Sequence, residues 1–133
     1  MRDALSLFWK LHAAVYVAFL VSMVSFFMDS SKDGLFNGRV GLLVGMIFAV
    51  VINSQRVAGT LGQATAFTLA DKIHVVTLLE LLCAVVCSLY SRRLHTSNQG
   101  AVADRIDRRM AAGLGTFYVV VNAALIFLAA RVA

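Results

Sequence analysis

Residues 110–130 read MAAGLGTFYVVVNAALIFLAA, a run of 21 residues without a charged side chain. The hydrocarbon core of a bilayer is about 30 Å thick, and roughly 20 helical residues cross it because each adds about 1.5 Å. The run therefore has the length and composition of one membrane-spanning helix. Arg109 and Arg131 flank it, at positions where basic side chains reach the lipid headgroups.

Three further apolar stretches precede this run, at residues 7–28, 35–54 and 70–90. Of the 133 residues, 60% are hydrophobic, whereas soluble domains contain about 45–50%. Four spans leave no room among these residues for a folded soluble domain. We therefore predict an all-α integral membrane protein, a four-helix bundle in which residues 1–133 form a single transmembrane domain and residues 91–109 form a cytoplasmic loop.

The basic residues indicate an orientation. With four spans both termini lie on one side, and the two loops on the other side carry seven Lys and Arg residues against five. The positive-inside rule places those loops in the cytoplasm and both termini outside it. The net charge of +5 comes from basic residues at the ends of the spans, where they face lipid headgroups. We therefore do not expect nucleic acid as a partner. The seven are Lys32, Arg39, Arg92, Arg93, Arg105, Arg108 and Arg109, and the five are Arg2, Lys10, Arg56, Lys72 and Arg131.

The second span is the least suited to contact with lipid. Its uncharged part, residues 40–55, is 16 residues long, about 24 Å of helix. Gly41 and Gly45 form a pair of small residues one turn apart that lets helix backbones approach closely, and Asn53 and Gln55 are polar. This composition predicts a helix shielded by other helices. The following residues, 57–70, are too polar to span and predict a loop on the membrane surface.

Glu80 is the ionisable side chain in the middle of a predicted span, where a carboxylate is costly enough to mark a candidate functional site. One interpretation is a proton-sensitive element. The other is a structural acid that is protonated or hydrogen-bonded to another helix. Glu80 shares a helix face with Cys83 and Cys87, but His74 lies nearly two turns away, so we expect no metal site and no cofactor.

Enzymatic chemistry is not expected either. Thr68 and Asp71 match the pattern of a helix-start cap at the beginning of the third span. Asp71 and His74 are one turn apart, yet neither a nucleophile nor an oxyanion donor accompanies them. We therefore predict a structural role for Asp71 and His74 at the start of the third helix.

Residues 39–74, RVGLLVGMIFAVVINSQRVAGTLGQATAFTLADKIH, resemble the second span, the connecting loop and the start of the third span of bacterial pentameric ligand-gated ion channels, the Cys-loop-like family. The spacing from Arg39 to Asp71 fits the arginine of the pore helix and the aspartate of the third span without a gap. Leu61-Gly62 stands where the family usually has Leu-Pro. Other stretches that resemble the family are FWK at 8–10, FFMD at 26–29 and AVADRIDRR at 101–109.

The resemblance implies a homo-oligomer, a pentamer in the membrane of a bacterial cell, with the second helix around a central pore. At helical spacings of three and four, the pore-lining seam consists of Asn37, Gly41, Gly45, Phe48, Ile52 and Gln55. Glycines would leave width at the cytoplasmic end, a ring of Phe48 and Ile52 would close by dewetting, and Gln55 would wet the outer mouth. The same face would also serve to pack on a neighbouring helix.

Two other functions fit the residues. The chain is also compatible with a small non-conducting accessory or scaffold subunit that packs in a larger membrane complex through Gly41 and Gly45. A third candidate is a proton-coupled carrier or redox accessory centred on Glu80. The expected partners are the lipid bilayer, further copies of the chain, and a separate extracellular ligand-binding domain or other membrane subunits.

Overall fold

The computed structural model describes residues 2–61 and 69–132, with the side chains of residues 6, 9, 10, 12–59 and 69–132. It contains four helices, α1 (Arg2–Ser25), α2 (Asp33–Leu61), α3 (Leu69–Thr96) and α4 (Gly100–Val132). The prediction of an all-α chain with four helices is confirmed. The sequence has no proline, so no residue lacks the amide hydrogen that the helical ladder needs.

Among the described residues, three helices are long and apolar enough to cross a membrane. These segments are Asp33–Gly59, Leu69–Thr96 and Gly100–Val132, which have 27, 28 and 33 residues. In α1 the corresponding apolar helix is shorter, His12–Ser25. Three of the four expected spans thus have the required length and composition. That the four helices cross a membrane, with the first span at residues 7–28, stays a prediction.

The hydrophilic segment 91–109 is mostly helix. Instead of the loop expected there, α3 continues to Thr96 and α4 begins at Gly100, which leaves only residues 97–99 between them. Asn98 adopts a left-handed conformation with φ of 59°, and the Gln99 amide donates to the Leu94 carbonyl at 3.0 Å. This arrangement is a Schellman cap, which ends one helix in a few residues. The charges of this segment indicate exposure to water, which a helix allows as well as an irregular loop does. The cytoplasmic location expected for the segment stays a prediction.

The other helix bounds also differ from the expected spans. α1 ends at Ser25, and a turn over residues 26–32 leads into α2. α2 continues past residue 54 to Leu61, so the first part of the expected surface loop at 57–70 is helical. Asp71 lies in the first turn of α3 as expected. The rest of that loop, residues 62–68 with the expected cap residue Thr68, lies outside the described residues.

α3 is the central helix of the bundle and packs against α1, α2 and α4, while α1 and α2 also pack against each other. Small residues recur along its buried face at intervals of seven, and they allow the neighbouring helices to approach closely. They are Ala70, Thr77, Ala84 and Ser91.

The described side chains show an unusual distribution of polarity. Polar and charged residues are as numerous as apolar ones among the buried positions, whereas large apolar side chains cover the outside of the helices. In a water-soluble bundle the reverse is expected, because apolar burial drives folding. This distribution is the one that a hydrocarbon environment favours. Examples of exposed apolar residues are Leu20, Val24, Phe27, Leu79, Val86 and Phe117.

Candidate functional site

A buried ion pair joins α2 to α4. Arg39 has no exposed surface, 0%, and its Nη1 and Nη2 atoms donate to the Asp107 carboxylate at 2.9 and 3.0 Å. Ser91 of α3 donates its hydroxyl proton to Asp107 Oδ2 at 2.9 Å. Two parallel N–H···O bonds of this kind are strong and fix the geometry of both side chains. Three helices therefore converge on one carboxylate.

Aromatic and hydroxyl groups complete this end of the bundle. The Phe26 ring lies over the Arg39 guanidinium, with 5.0 Å between the Arg39 Cζ atom and the ring centroid, and such contacts stabilise a desolvated cation. The Ser30 and Ser91 hydroxyl groups are 2.8 Å apart. Arg39 was counted among the residues of a cytoplasmic loop, but it lies within α2 and is buried. Outside the pair, Arg92 and Asp33 form a second ion pair, at the exposed surface.

Glu80 is buried halfway along α3 and contacts α1. Its Oε1 atom lies 2.5 Å from the Ser22 hydroxyl oxygen, which also lies 2.9 Å from the Phe19 carbonyl oxygen. A serine hydroxyl carries a single proton, so it makes one full hydrogen bond or shares the proton weakly between two acceptors. Both contacts are satisfied when Glu80 carries a proton and donates it to Ser22, which donates in turn to Phe19. The geometry thus favours a protonated structural acid over a buried carboxylate.

The second oxygen of Glu80 supports this assignment. Oε2 is buried and has no hydrogen-bond partner among the described residues. An unpaired buried carbonyl oxygen costs far less free energy than an unpaired buried anion. Nearby, the Thr77 and Tyr118 hydroxyl groups are 2.9 Å apart, and the Tyr118 ring stacks on Phe19 with 4.1 Å between centroids. These contacts connect α1, α3 and α4 in the middle of the bundle.

A third polar group lies towards the other end of the bundle. His74 Nδ1 donates to the Ala70 carbonyl oxygen at 2.7 Å, which leaves Nε2 to accept from the Asn53 side-chain amide at 3.0 Å. His74 is therefore engaged in joining α2 to α3, consistent with a structural role. In the part of the chain that the structure describes, no group of three or more His, Cys, Asp or Glu side chains could hold a metal ion.

The seam proposed from the sequence is an exposed face of α2. Phe48 is 64% exposed and Ile52 is 51% exposed, and a Cβ atom added at Gly41 or Gly45 would meet nothing within 4 Å. Asn37 and Gln55 are exposed as well. The side chains that α2 buries in its own bundle are Arg39, Leu43, Val50 and Val57.

At 3.6 residues per turn, the buried positions of α2 lie on the side of the helix opposite the seam. The helices described for this chain do not cover the seam. Among the described residues nothing shields it, so it is open to water, lipid or another chain. The structure brings the seam residues together on one face and holds Glu80 on a different helix, facing inward.

Sequence reasoning missed Asp107, Ser22 and Ser91 as partners of the buried ionisable groups. A weak signal was present, because serines recur three residues apart inside apolar stretches, at 22 and 25 and again at 88 and 91. Such serines satisfy polar groups where water is excluded. Asp107 could not be distinguished from the neighbouring Asp104, since both alternate with arginines.

We expect Asp107→Asn to lower the free energy of unfolding by roughly 3–5 kcal/mol, because it leaves the Arg39 guanidinium buried without a counter-charge. The measurement is a detergent denaturation curve followed by circular dichroism. Asp33→Asn, which breaks the exposed pair with Arg92, is the matched control and should cost less than about 1 kcal/mol. Equal losses in the two variants would contradict the role given to the buried pair.

A second prediction concerns the proton on Glu80, the only glutamate in the sequence. Labelling with carboxyl-13C glutamate therefore gives one carboxyl resonance, and we expect the chemical shift of a protonated carboxyl at neutral pH. Glu80→Gln should keep the thermal stability, because its amide still bonds to Ser22, whereas Glu80→Ala should lower it. The shift of an ionised carboxylate in the folded protein at pH 7 would contradict this assignment.

Comparison of the chain with protein-family models and with curated proteins finds no match. The function proposed below is therefore argued from the contacts and exposed faces of the helices.

Proposed function

We propose that the chain is a subunit of a homo-oligomeric membrane pore that conducts ions, with α2 lining the pore. The observation that carries this proposal is the position of the seam, opposite the side by which α2 packs in its own bundle. The resemblance of residues 39–74 to pentameric ligand-gated channels favours five subunits. Each subunit would contribute one four-helix domain, with α1 as the fourth span.

The packing of α2 suits a position next to a central axis. α1 and α3 both pack against it, so they would stand behind it and support it against lateral displacement. A helix that lines a pore needs such support on one side and a free face on the other. The seam also has the polarity expected of a pore, with polar Asn37 and Gln55 at its ends and Phe48 and Ile52 towards the middle.

The proposed orientation keeps residues 91–109 in the cytoplasm and both termini outside. With Arg39 withdrawn into the bundle, six basic residues remain on the cytoplasmic side against five on the other. Asp107 neutralises the charge of Arg39 inside the bundle, and Arg92 pairs with Asp33 at the surface. Lys32 is exposed near the inner mouth.

A second candidate function is a non-conducting accessory subunit. The open space over Gly41 and Gly45 favours it, because close helix approach to a foreign partner needs the same small residues. The two functions differ in what covers α2. In a pore, identical chains would surround α2 in a ring. In an accessory subunit, an unrelated polypeptide would cover α2 in a fixed ratio.

Ion flux through purified protein in liposomes tests the pore. We expect a measurable flux from the wild-type chain and a several-fold higher basal flux from Phe48→Ala, because the smaller side chain widens the apolar constriction and allows it to stay wet. Leu42→Ala is the matched control, since Leu42 is exposed on another side of the same helix, and it should leave the flux unchanged.

Imaging of the purified particle provides the independent readout. Identical subunits related by rotation, with α2 nearest the axis, are the expected result. A monomeric mass in detergent together with absence of flux would refute the proposal. An unchanged flux in Phe48→Ala would reject Phe48 as the constriction, and co-purification with a stoichiometric foreign chain on the α2 face would favour the accessory role.

A further inference from the structure

A cavity of about 770 Å³ opens between the α1–α2 turn and the first part of α4. His95 of α3 contributes to its wall. The volume lies within the range of roughly 300–1,000 Å³ that is usual for ligand sites. The cavity is separate from the seam of α2 and from Glu80, so the proposed pore does not use it.

One part of the cavity is apolar. Met23, Phe26 and Phe27 line it from the end of α1 and the following turn, and Ala111 and Ala112 line it from α4. Phe27 is also strongly exposed to the surroundings of the bundle. The apolar lining is therefore continuous with the outer surface that hydrocarbon chains would cover.

The other part of the cavity carries charges. Asp29, Asp104, Asp107 and Arg108 line it. Asp107 is already neutralised by Arg39, and the His95 Nε2 atom lies 3.4 Å from Asp104 Oδ1. The Asp29 carboxylate, the other oxygen of Asp104 and the Arg108 guanidinium remain to meet a ligand. Hydrogen bonds from Ser31 lower the pKa of the Asp29 carboxyl from its usual value. Asp29 is therefore an anion at neutral pH and remains one under mildly acidic conditions.

These two parts lie where the bilayer boundary would cross the bundle. The uncharged run of α4 begins at residue 110, so Ala111 and Ala112 fall on the hydrocarbon side. Asp104 and Arg108 fall one to two turns earlier, on the headgroup side. A ligand that fills the whole cavity must therefore combine an apolar body with a charged end.

We propose that this cavity binds one phospholipid whose headgroup carries a primary amine, with its ammonium at Asp29 and Asp104, its phosphate at Arg108, and an acyl chain over Phe27 and Ala112. The inference rests on the membrane placement in the proposed function and does not depend on ion conduction.

Charge complementarity selects this headgroup over the alternatives. A primary ammonium donates three hydrogen bonds, and two carboxylates can accept them. A quaternary ammonium has no N–H group to donate. A headgroup with a net negative charge would place its phosphate near Arg108 but would leave the carboxylates facing an anion, which opposes binding.

Native mass spectrometry of the full chain in detergent tests the proposal. The probes are phosphatidylethanolamine, phosphatidylcholine and phosphatidylglycerol with identical acyl chains. We expect one retained phosphatidylethanolamine per chain, in several-fold preference to the other two lipids. Ala112→Phe should reduce that adduct several-fold by filling the apolar part, whereas Ala123→Phe, at an exposed position further along α4, should not.

The charged part is tested separately. Asp29→Asn combined with Asp104→Asn should abolish the preference for phosphatidylethanolamine over phosphatidylcholine, and Arg109→Gln, whose side chain does not line the cavity, should preserve it. Equal retention of the three lipids by the wild-type chain, or an undiminished adduct in Ala112→Phe, would overturn the proposal. The same spectra count subunits, so a monomer that keeps the lipid preference would count against the pore alone.

Discussion

The Arg39–Asp107 pair is the constraint on which the arrangement of the helices depends. A guanidinium without exposed surface cannot be hydrated, so its counter-charge must lie at one defined place. That requirement fixes α4 relative to α2, although the two helices are not neighbours in the chain. Ser91 adds α3 to the same carboxylate. The pair therefore also fixes the rotation of α2 about its own axis. That rotation determines the direction in which the face with Gly41 and Gly45 points.

Polar contacts hold the remaining helices together as well. In hydrocarbon, apolar side chains gain little by leaving lipid for the protein interior, so close packing and hydrogen bonds between helices carry more of the association. The Ser22–Glu80, Thr77–Tyr118 and Asn53–His74 contacts are distributed along the bundle. Each joins a different combination of helices, and together they specify the register of every helix against α3.

The sequence alone predicted the helices well and their partners poorly. The uncharged run at residues 110–130 identified α4. The glycines and apolar residues spaced three and four apart in α2 were predicted to share one face, and that face is exposed in the structure. The short connection between α3 and α4, residues 97–99, was not predicted, because charge reports contact with water and carries little information about backbone conformation. Arg39 and Asp107 are 68 residues apart in the chain. A single sequence does not show that two such distant positions lie close together in space.

α4 is held unevenly along its length. Its buried residues end at Asn122, and the following residues to Val132 are exposed or only partly covered. Local opening requires little free energy where few contacts are lost, so the C-terminal turns of α4 have greater freedom to tilt than the part near Asp107. In a bilayer, a change of thickness or lateral pressure would therefore act mainly on the end of α4 that lies farthest from the salt bridge.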